Sequence, residues 1–288
     1  VISALEHHAN LLPWQQLAQR RQLKLVILPL DVDGLIDLAA AVHLIGPRTR
    51  LLAVSQLSNV LGAWQPLPAL LGMAKAHNAL TVVDGAQGVV HGRHDVQALG
   101  CDFYVFSSHK LYGPDGLGVL FGRNTALEQL KPWQFGGEMV LEANYHDARF
   151  RPAPLGFEAG TPPIASVIGL GATLDYLAGL DQDAVSTHEA ALHAYLLQGL
   201  AARNGIRLLG KPQLALASFV VEGVHNADLA HLLTEQGIAV RAGHHCAMPL
   251  LKRFELAGAI RVSLALYNDS EDLERFFEAL DQALELLR

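Results

Sequence analysis

Thr81-Val82-Val83-Asp84-Gly85-Ala86-Gln87 and Phe103-Tyr104-Val105-Phe106-Ser107-Ser108-His109-Lys110 decide the fold of this chain. Each is a short, near-continuously apolar run that ends abruptly on polar groups, the pattern of a strand buried on both faces. The first half repeats the same alternation on either side of them. Residues 23–30, 50–55 and 117–121 read as further strands, and residues 35–44 and 66–77 as helices. Buried strands separated by helices predict an α/β architecture: a mostly parallel sheet with helices on both faces.

From residue 130 to 163 glycine and proline recur with weak periodicity, which reads as a loop-rich connection near a domain boundary. Helices are then predicted at 165–180, 185–203 and 227–236, and strands at 206–209, 214–221, 238–240 and 260–266. The last element is a helix from Ser270. Its Leu273, Phe276, Phe277, Leu280, Leu284 and Leu287 keep helical spacing behind an Asn268-Asp269-Ser270 cap. The expected organisation is a large domain over residues 1–150 and a smaller α+β domain over residues 151–288. Gly169-Leu170-Gly171 resembles part of a dinucleotide fingerprint but lies inside a helical pattern, so its small residues are assigned to close helix packing.

Composition narrows the function classes. Of 288 residues 51% are hydrophobic and 17% charged, enough to bury a sizeable core and too apolar for a disordered chain. Lys and Arg number 21 against 28 Asp and Glu, a net charge of −7, which gives no electrostatic case for nucleic acid or an anionic membrane. No apolar run reaches the roughly 18 residues of a membrane span, and no signal peptide stands at the start. Two cysteines, Cys101 and Cys246, exclude a disulfide scaffold and fit a reducing compartment, so the cytoplasm is expected. The chain opens Val1-Ile2-Ser3 without an initiator Met, as an excerpt of a longer product would.

In an open parallel sheet the carboxyl ends of the strands form the ligand crevice. Asp84 and Lys110 end neighbouring predicted strands, one β-helix-β unit apart, and can face one site. An amine that can form a Schiff base and a carboxylate that can hold a pyridine nitrogen protonated are what pyridoxal phosphate needs. The same two residues also fit a helix cap and a solvated surface lysine. A second cluster, Arg241-Ala242-Gly243-His244-His245-Cys246, allows three readings: a metal site, which lacks further ligands at suitable spacing; a turn with a small buried cysteine; or a nucleophilic thiol near imidazoles and an arginine. Arg241 and Arg261 flank it and can grip a carboxylate. A third cluster is Glu6-His7-His8-Ala9-Asn10, whose histidines fit either a surface pair or a ring that stacks on a cofactor and moves a proton. Cys101 reads as structural.

Together EHHAN (6–10), SQLSN (55–59), VVDGAQ (82–87), FSSHKLYGP (106–114), FEAGTP (157–162), RAGHHCAMP (241–249) and RVSLALYN (261–268) strongly resemble the group II cysteine desulfurases. These are fold-type I pyridoxal phosphate enzymes, in a group that includes cysteine sulfinate desulfinase and the selenocysteine lyases. The resemblance covers nearly the whole chain. It implies that Lys110 is the lysine bonded to the cofactor, Asp84 the partner of the pyridine nitrogen and Gln87 a donor to the ring's phenolic oxygen. It implies that His7 stacks on the ring and helps in proton transfer, and that Ser107 and His109 hold the phosphate. Asn59 would lie near the phenolic edge and the substrate carboxylate, and Thr161 would reach the phosphate of the other subunit in a homodimer. Cys246 would accept the sulfur, with Arg261 and Arg241 at the substrate carboxylate and the persulfide loop.

The implied reaction takes L-cysteine to L-alanine, leaving a persulfide on Cys246 for a sulfur-acceptor protein, in the sulfur mobilisation that feeds iron–sulfur cluster assembly. Only residues 247–260 separate Cys246 from Arg261, a short tether of the group II kind. Selenocysteine or cysteine sulfinate are alternative substrates, and a non-catalytic module for dimerisation or acceptor binding is the alternative of another class. One departure stands out. The glycine- and threonine-rich phosphate loop that the family carries upstream of EHHAN is not in this sequence, so a truncated large domain with poor cofactor retention is expected.

Overall fold

The structure, a computed structural model, describes residues 1–92 and 94–288. The first half runs β1 (Ile2–Ser3), α1 (His8–Arg21), β2 (Ile27–Leu28), α2 (Leu38–Leu44), β3 (Leu51–Ser55), α3 (Leu67–Ala76), β4 (Leu80–Asp84), α4 (Val96–Leu99), β5 (Phe103–Ser107), β6 (Gly118–Gly122) and α5 (Asn124–Leu127). A hairpin, β7 (Val140–Ala143) with β8 (Ala148–Phe150), leads to α6 (Ile164–Ala178) and α7 (Gln182–Ala201). The remainder is β9 (Ile206–Leu208), β10 (Leu216–Val221), α8 (Asn226–Glu235), β11 (Arg241–Gly243), α9 (Met248–Arg253), β12 (Ala259–Ser263) and α10 (Ser270–Leu287).

Strands β1 to β6 form one sheet in the order β2-β1-β3-β4-β5-β6, parallel throughout except for the edge strand β6. The mostly parallel sheet expected from the buried runs is therefore present. Burial on both faces explains the missing alternation: Leu52, Ala53 and Val54 of β3 are all fully buried. Four antiparallel strands form a second sheet, β11-β12-β10-β9, covered by α7, α8 and α10. The stripe predicted on α10 is buried except at half-buried Leu287, and Asp269 caps the helix with Asp272 closing a capping box. α7 approaches α10 closely at Gly199, where a Cβ would lie 2.0 Å from the Phe277 ring.

The two halves share a core. Leu209, Ala247, Leu250, Leu251 and Ala259 come from the second half and bury among the side chains of the first sheet. Ser218 Oγ of β10 donates to the Val60 carbonyl at 2.6 Å, and Arg253 donates to the Leu30 carbonyl at 2.7 Å. The small sheet is thus bonded onto the carboxyl edge of the large one.

Several expected elements move. The strand expected at 238–240 lies at Arg241–Gly243, because pairing with β12 begins opposite Arg261 and not earlier. The strand expected over 23–30 shrinks to Ile27–Leu28, where it meets β1. Helix α1 was not anticipated: only Asn10 and Ala18 of it are buried and Pro13 lies within it, so it shows little apolar stripe. The 130–163 connection holds the β7–β8 hairpin. Gly169 packs on Pro114, with a Cβ position 2.6 Å from the proline Cγ, as close helix packing requires.

Candidate active site

The carboxyl ends of β1, β3, β4 and β5 lie side by side, since Ile2 pairs with Ala53, Ser55 with Asp84, and Asp84 with Val105. Each delivers polar groups to this edge. β1 runs into the turn that carries Glu6 and His7 and on to His8 at the start of α1; β3 into Asn59; β4 ends on Asp84 and leads to Gln87; β5 ends on Ser107 and leads into a 3-10 turn, Ser108–Leu111, that carries Lys110. That turn closes with the Gly113 amide donating to the Ser108 carbonyl at 3.0 Å. Only glycine fits at 113, where a Cβ would stand 2.3 Å from Ser108 Oγ.

The charges acting on Lys110 agree with this convergence. Burial lowers the pKa of the Lys110 amine; Asp84 opposes the shift, Arg261 and Arg241 add to it, and Cys246 opposes it. One amine therefore feels the β4 carboxylate, the thiol and both arginines. His7 is likewise held below the usual imidazole range by burial and then by Lys110. It also caps α1: its Nδ1 accepts from the Ala9 amide at 3.1 Å, so the neutral ring carries its proton on Nε2. Glu6 beside it is fully buried, accepting from Ser3 Oγ, from the Ser55 amide at 3.1 Å, from Ser55 Oγ at 2.6 Å and from Asn10 Nδ2 at 2.7 Å. Burial still pushes its pKa up to about 7.

Arg241 and Arg261 face each other across β11 and β12 as direct cross-strand partners. Like charges so placed are unfavourable. No ion pair joins either to a carboxylate among the described residues. Burial and then Arg241 lower the Arg261 pKa to about 10, and its buried Nε has no partner. The pair has the character of an anion site awaiting its anion. Arg261 Nη1 donates to the Asn59 carbonyl at 2.9 Å, and Asn59 Nδ2 to the His245 carbonyl at 2.9 Å, so Asn59 joins the arginine to the cysteine turn.

Cys246 sits on that turn with φ 55°, and His245 before it has φ 50°. Two successive side-chain-bearing residues in the left-handed region cost about 1 kcal/mol each or more. Bonds to the turn offset this: the His8 amide donates to the Cys246 carbonyl at 2.7 Å, and His245 Nε2 bonds the Ala259 carbonyl at 3.1 Å. Gln87 is half-buried at the head of the 3-10 turn Gly88–Val90, while His109 and Thr161 are exposed. Ser107 is half-buried, and the neighbouring Ser108 Oγ is buried without a partner. Cys101 is buried, as a structural cysteine would be.

The sequence profile described as "Aminotransferase class-V" matches residues 1–276. A probable cysteine desulfurase of Pseudomonas putida is 78% identical over 287 residues, which is 100% of this chain and 72% of that protein. One from Pseudomonas aeruginosa is 70% identical over 288 residues, again 100% of this chain and 72% of the relative. The crystal structure of the cysteine desulfurase CsdA from Escherichia coli superposes with a TM-score of 0.97 at 44% identity, over 100% of this chain and 72% of that one. The chain belongs to the cysteine desulfurases of the class-V aminotransferase family. Class-V desulfurases depend on pyridoxal phosphate, and the donor set here fits that group: an amine depressed by burial, a carboxylate within its field and a neutral imidazole on the same edge.

Sequence reasoning missed His8, Glu6 and Gln56. All three stand inside quoted motifs, EHHAN and SQLSN, but only tertiary contacts show their work. Gln56 Oε1 accepts from the Tyr104 hydroxyl at 2.6 Å behind the Asp84 turn, where a Cβ on Gly88 would lie 2.1 Å from that same oxygen.

Proposed function

We propose that Lys110, Asp84, His7, Cys246, Arg241 and Arg261 carry a cysteine desulfurase reaction on L-cysteine, with Cys246 as the sulfur acceptor. The observation that supports this best is the Lys110 amine, half-buried and within the electrostatic field of Asp84, Cys246 and both arginines at once. When bound, pyridoxal phosphate supplies an electron sink for the bonds at the substrate's α-carbon. Asp84 is the carboxylate that would hold its ring nitrogen protonated. Gln87, His7 and Asn59 would contact its ring and phenolic edge, and Ser107, His109 and, from a second subunit, Thr161 its phosphate.

The chain's own groups do the rest. The paired guanidiniums of Arg241 and Arg261 take the substrate carboxylate, relieving their mutual repulsion. Burial and the two arginines bias Lys110 toward its free amine, the form that would remove the α-proton. His7 presents Nε2–H, its Nδ1 being engaged by Ala9. The Cys246 thiolate forms an S–S bond to the substrate sulfur as the Cβ–S bond breaks. The bond's electron pair stays with the carbon skeleton, which leaves as alanine after protonation. Cys246 becomes a persulfide, and no external oxidant or reductant is consumed. The sulfur then passes to an acceptor.

The same reading places the enzyme in the cytoplasm as a homodimer, with large and small domains over 1–150 and 151–288. Two cysteines without a disulfide suit a reducing compartment. Support for a dimer comes from α6, where Ile164, Val167, Ile168 and Leu174 are exposed. Among the described residues no single helix is long and apolar enough to cross a membrane.

The deciding experiment reconstitutes the protein with pyridoxal phosphate and supplies L-cysteine. Expected are the visible absorbance of the cofactor's Schiff base with Lys110, release of alanine and one extra sulfur atom on the Cys246 peptide by mass spectrometry. Lys110→Ala should abolish the absorbance and the alanine. Cys246→Ala should keep the absorbance and lose the added sulfur. Undiminished alanine release by the cysteine variant would overturn the role given to Cys246.

A further inference from the structure

Two imidazoles outside the proposed reaction flank the cysteine turn. The Met248 amide, two residues after Cys246, donates to His8 Nε2 at 3.2 Å. The Cys246 amide itself donates to His244 Nδ1 at 3.0 Å. The two rings lie 5.7 Å apart between centroids, tilted by 36°. A third bond completes the set, since the His8 backbone amide reaches the Cys246 carbonyl at 2.7 Å. His8 thus grips the turn at two points, one from its backbone and one from its ring, while His244 grips it at a third. A ring nitrogen that accepts a hydrogen bond carries no proton. Both imidazoles are therefore neutral in this arrangement, His8 with its proton on Nδ1 and His244 with its proton on Nε2.

The turn needs such restraint. His245 and Cys246 hold φ of 50° and 55°, a conformation that side-chain-bearing residues leave when nothing enforces it. Met248 and His244 are themselves exposed, so burial does not fix their positions. We propose that His8 and His244 are positioning residues for Cys246, two neutral imidazoles that accept the backbone N–H groups around it and hold its left-handed turn against the start of α1. The proposal rests on the reading of Cys246 as the sulfur acceptor for its importance to turnover, though not for the clamp itself.

The two rings use different nitrogens, which gives a test that a general loss of packing would not mimic. Gln places its amide oxygen near the position of a histidine Nε2, and Asn near that of Nδ1. His8→Gln should therefore retain the clamp and His8→Leu lose it, while at His244 Asn should retain it and Gln lose it. The first readout is the rate at which iodoacetamide alkylates Cys246 in protein free of cofactor, followed by peptide mass spectrometry with buried Cys101 as the internal reference. The two clamp-losing variants should alkylate at Cys246 at rates changed by about fivefold, the factor that one lost hydrogen bond carries, and the clamp-retaining pair by less than about twofold. The second readout is turnover of L-cysteine by the reconstituted protein, where the losing variants should lower kcat with KM nearly unchanged.

Equal alkylation rates for Gln and Leu at position 8, together with equal rates for Asn and Gln at position 244, would overturn the proposal. If His8→Leu does not fold, the pair at exposed His244 decides alone. Should Cys246→Ala retain full desulfurase activity, the reading of the nucleophile fails while the alkylation result still judges the clamp.

Discussion

His245 shows how one buried ring sets a pH dependence. It is 4% exposed, its Nε2 bonds the Ala259 carbonyl, and its Nδ1 has no partner. Burial, and then Arg261, lower its pKa to about 4. The unfolded chain therefore binds a proton here between about pH 4 and 6.5 that the folded chain refuses. The contribution of His245 to stability is fully present above pH 6.5 and is lost as pH falls through 4. Glu6 works in the other direction. With its pKa raised to about 7 by burial, it holds a proton that the unfolded chain releases, so its contribution falls as pH rises from 4.5 to 7. The two offset each other in the native protein and separate on substitution. His245→Gln, which keeps a donor for Ala259, should reduce the loss of stability between pH 7.5 and pH 5, by at most about 2 kcal/mol after solvent screening. Urea midpoints of both proteins at the two pH values measure it.

At the scale of elements, the residues behind the site are as constrained as those in it. The Asp84 turn rests on Tyr104 of β5, whose hydroxyl donates to buried Gln56. Gly85 allows the approach, since a Cβ there would lie 2.0 Å from the tyrosine ring. Tyr104→Phe leaves the Gln56 oxygen buried and unpaired and should cost about 1–3 kcal/mol in chemical denaturation. α10 gives a contrasting case far from the chemistry. Asp269→Ala removes the cap that accepts from the Asp272 amide at 3.0 Å and should cost about 1 kcal/mol without changing KM for L-cysteine.

At the scale of the molecule, the shared core predicts cooperative unfolding. Leu250 and Leu251 of α9 stand in the second half of the chain and bury in the core of the first sheet. All three tryptophans, Trp14, Trp64 and Trp133, lie in the first half, whereas α7, α8 and α10 lie in the second. Tryptophan fluorescence and far-ultraviolet circular dichroism should therefore trace one coincident urea transition. Leu250→Ala should shift both traces together, by about 2–5 kcal/mol. Transitions that separate would show that the two sheets unfold independently.

The local pattern of the chain dictates the parallel sheet, because strands buried on both faces must be apolar, as 82–83 and 103–106 are. It determined the capped C-terminal helix, whose stripe and cap are local, and it placed Asp84 and Lys110 at neighbouring strand ends. It also carried the motifs by which the desulfurase family is recognised. Helix α1 was not legible, since little of it is buried and a proline interrupts it. The short strand β11 was misplaced by three residues, because its register depends on a partner 20 residues away in sequence, Arg261 opposite Arg241. Long-range contacts alone bring those two guanidiniums face to face across β11 and β12 and let His8 and His244 grip the turn of a cysteine, with His7 held as the Nε2–H form. The physical reason is common to all three. Apolar periodicity and caps act between near neighbours and leave a pattern in the chain, whereas a hydrogen bond from Met248 to His8 spans 240 residues and leaves none.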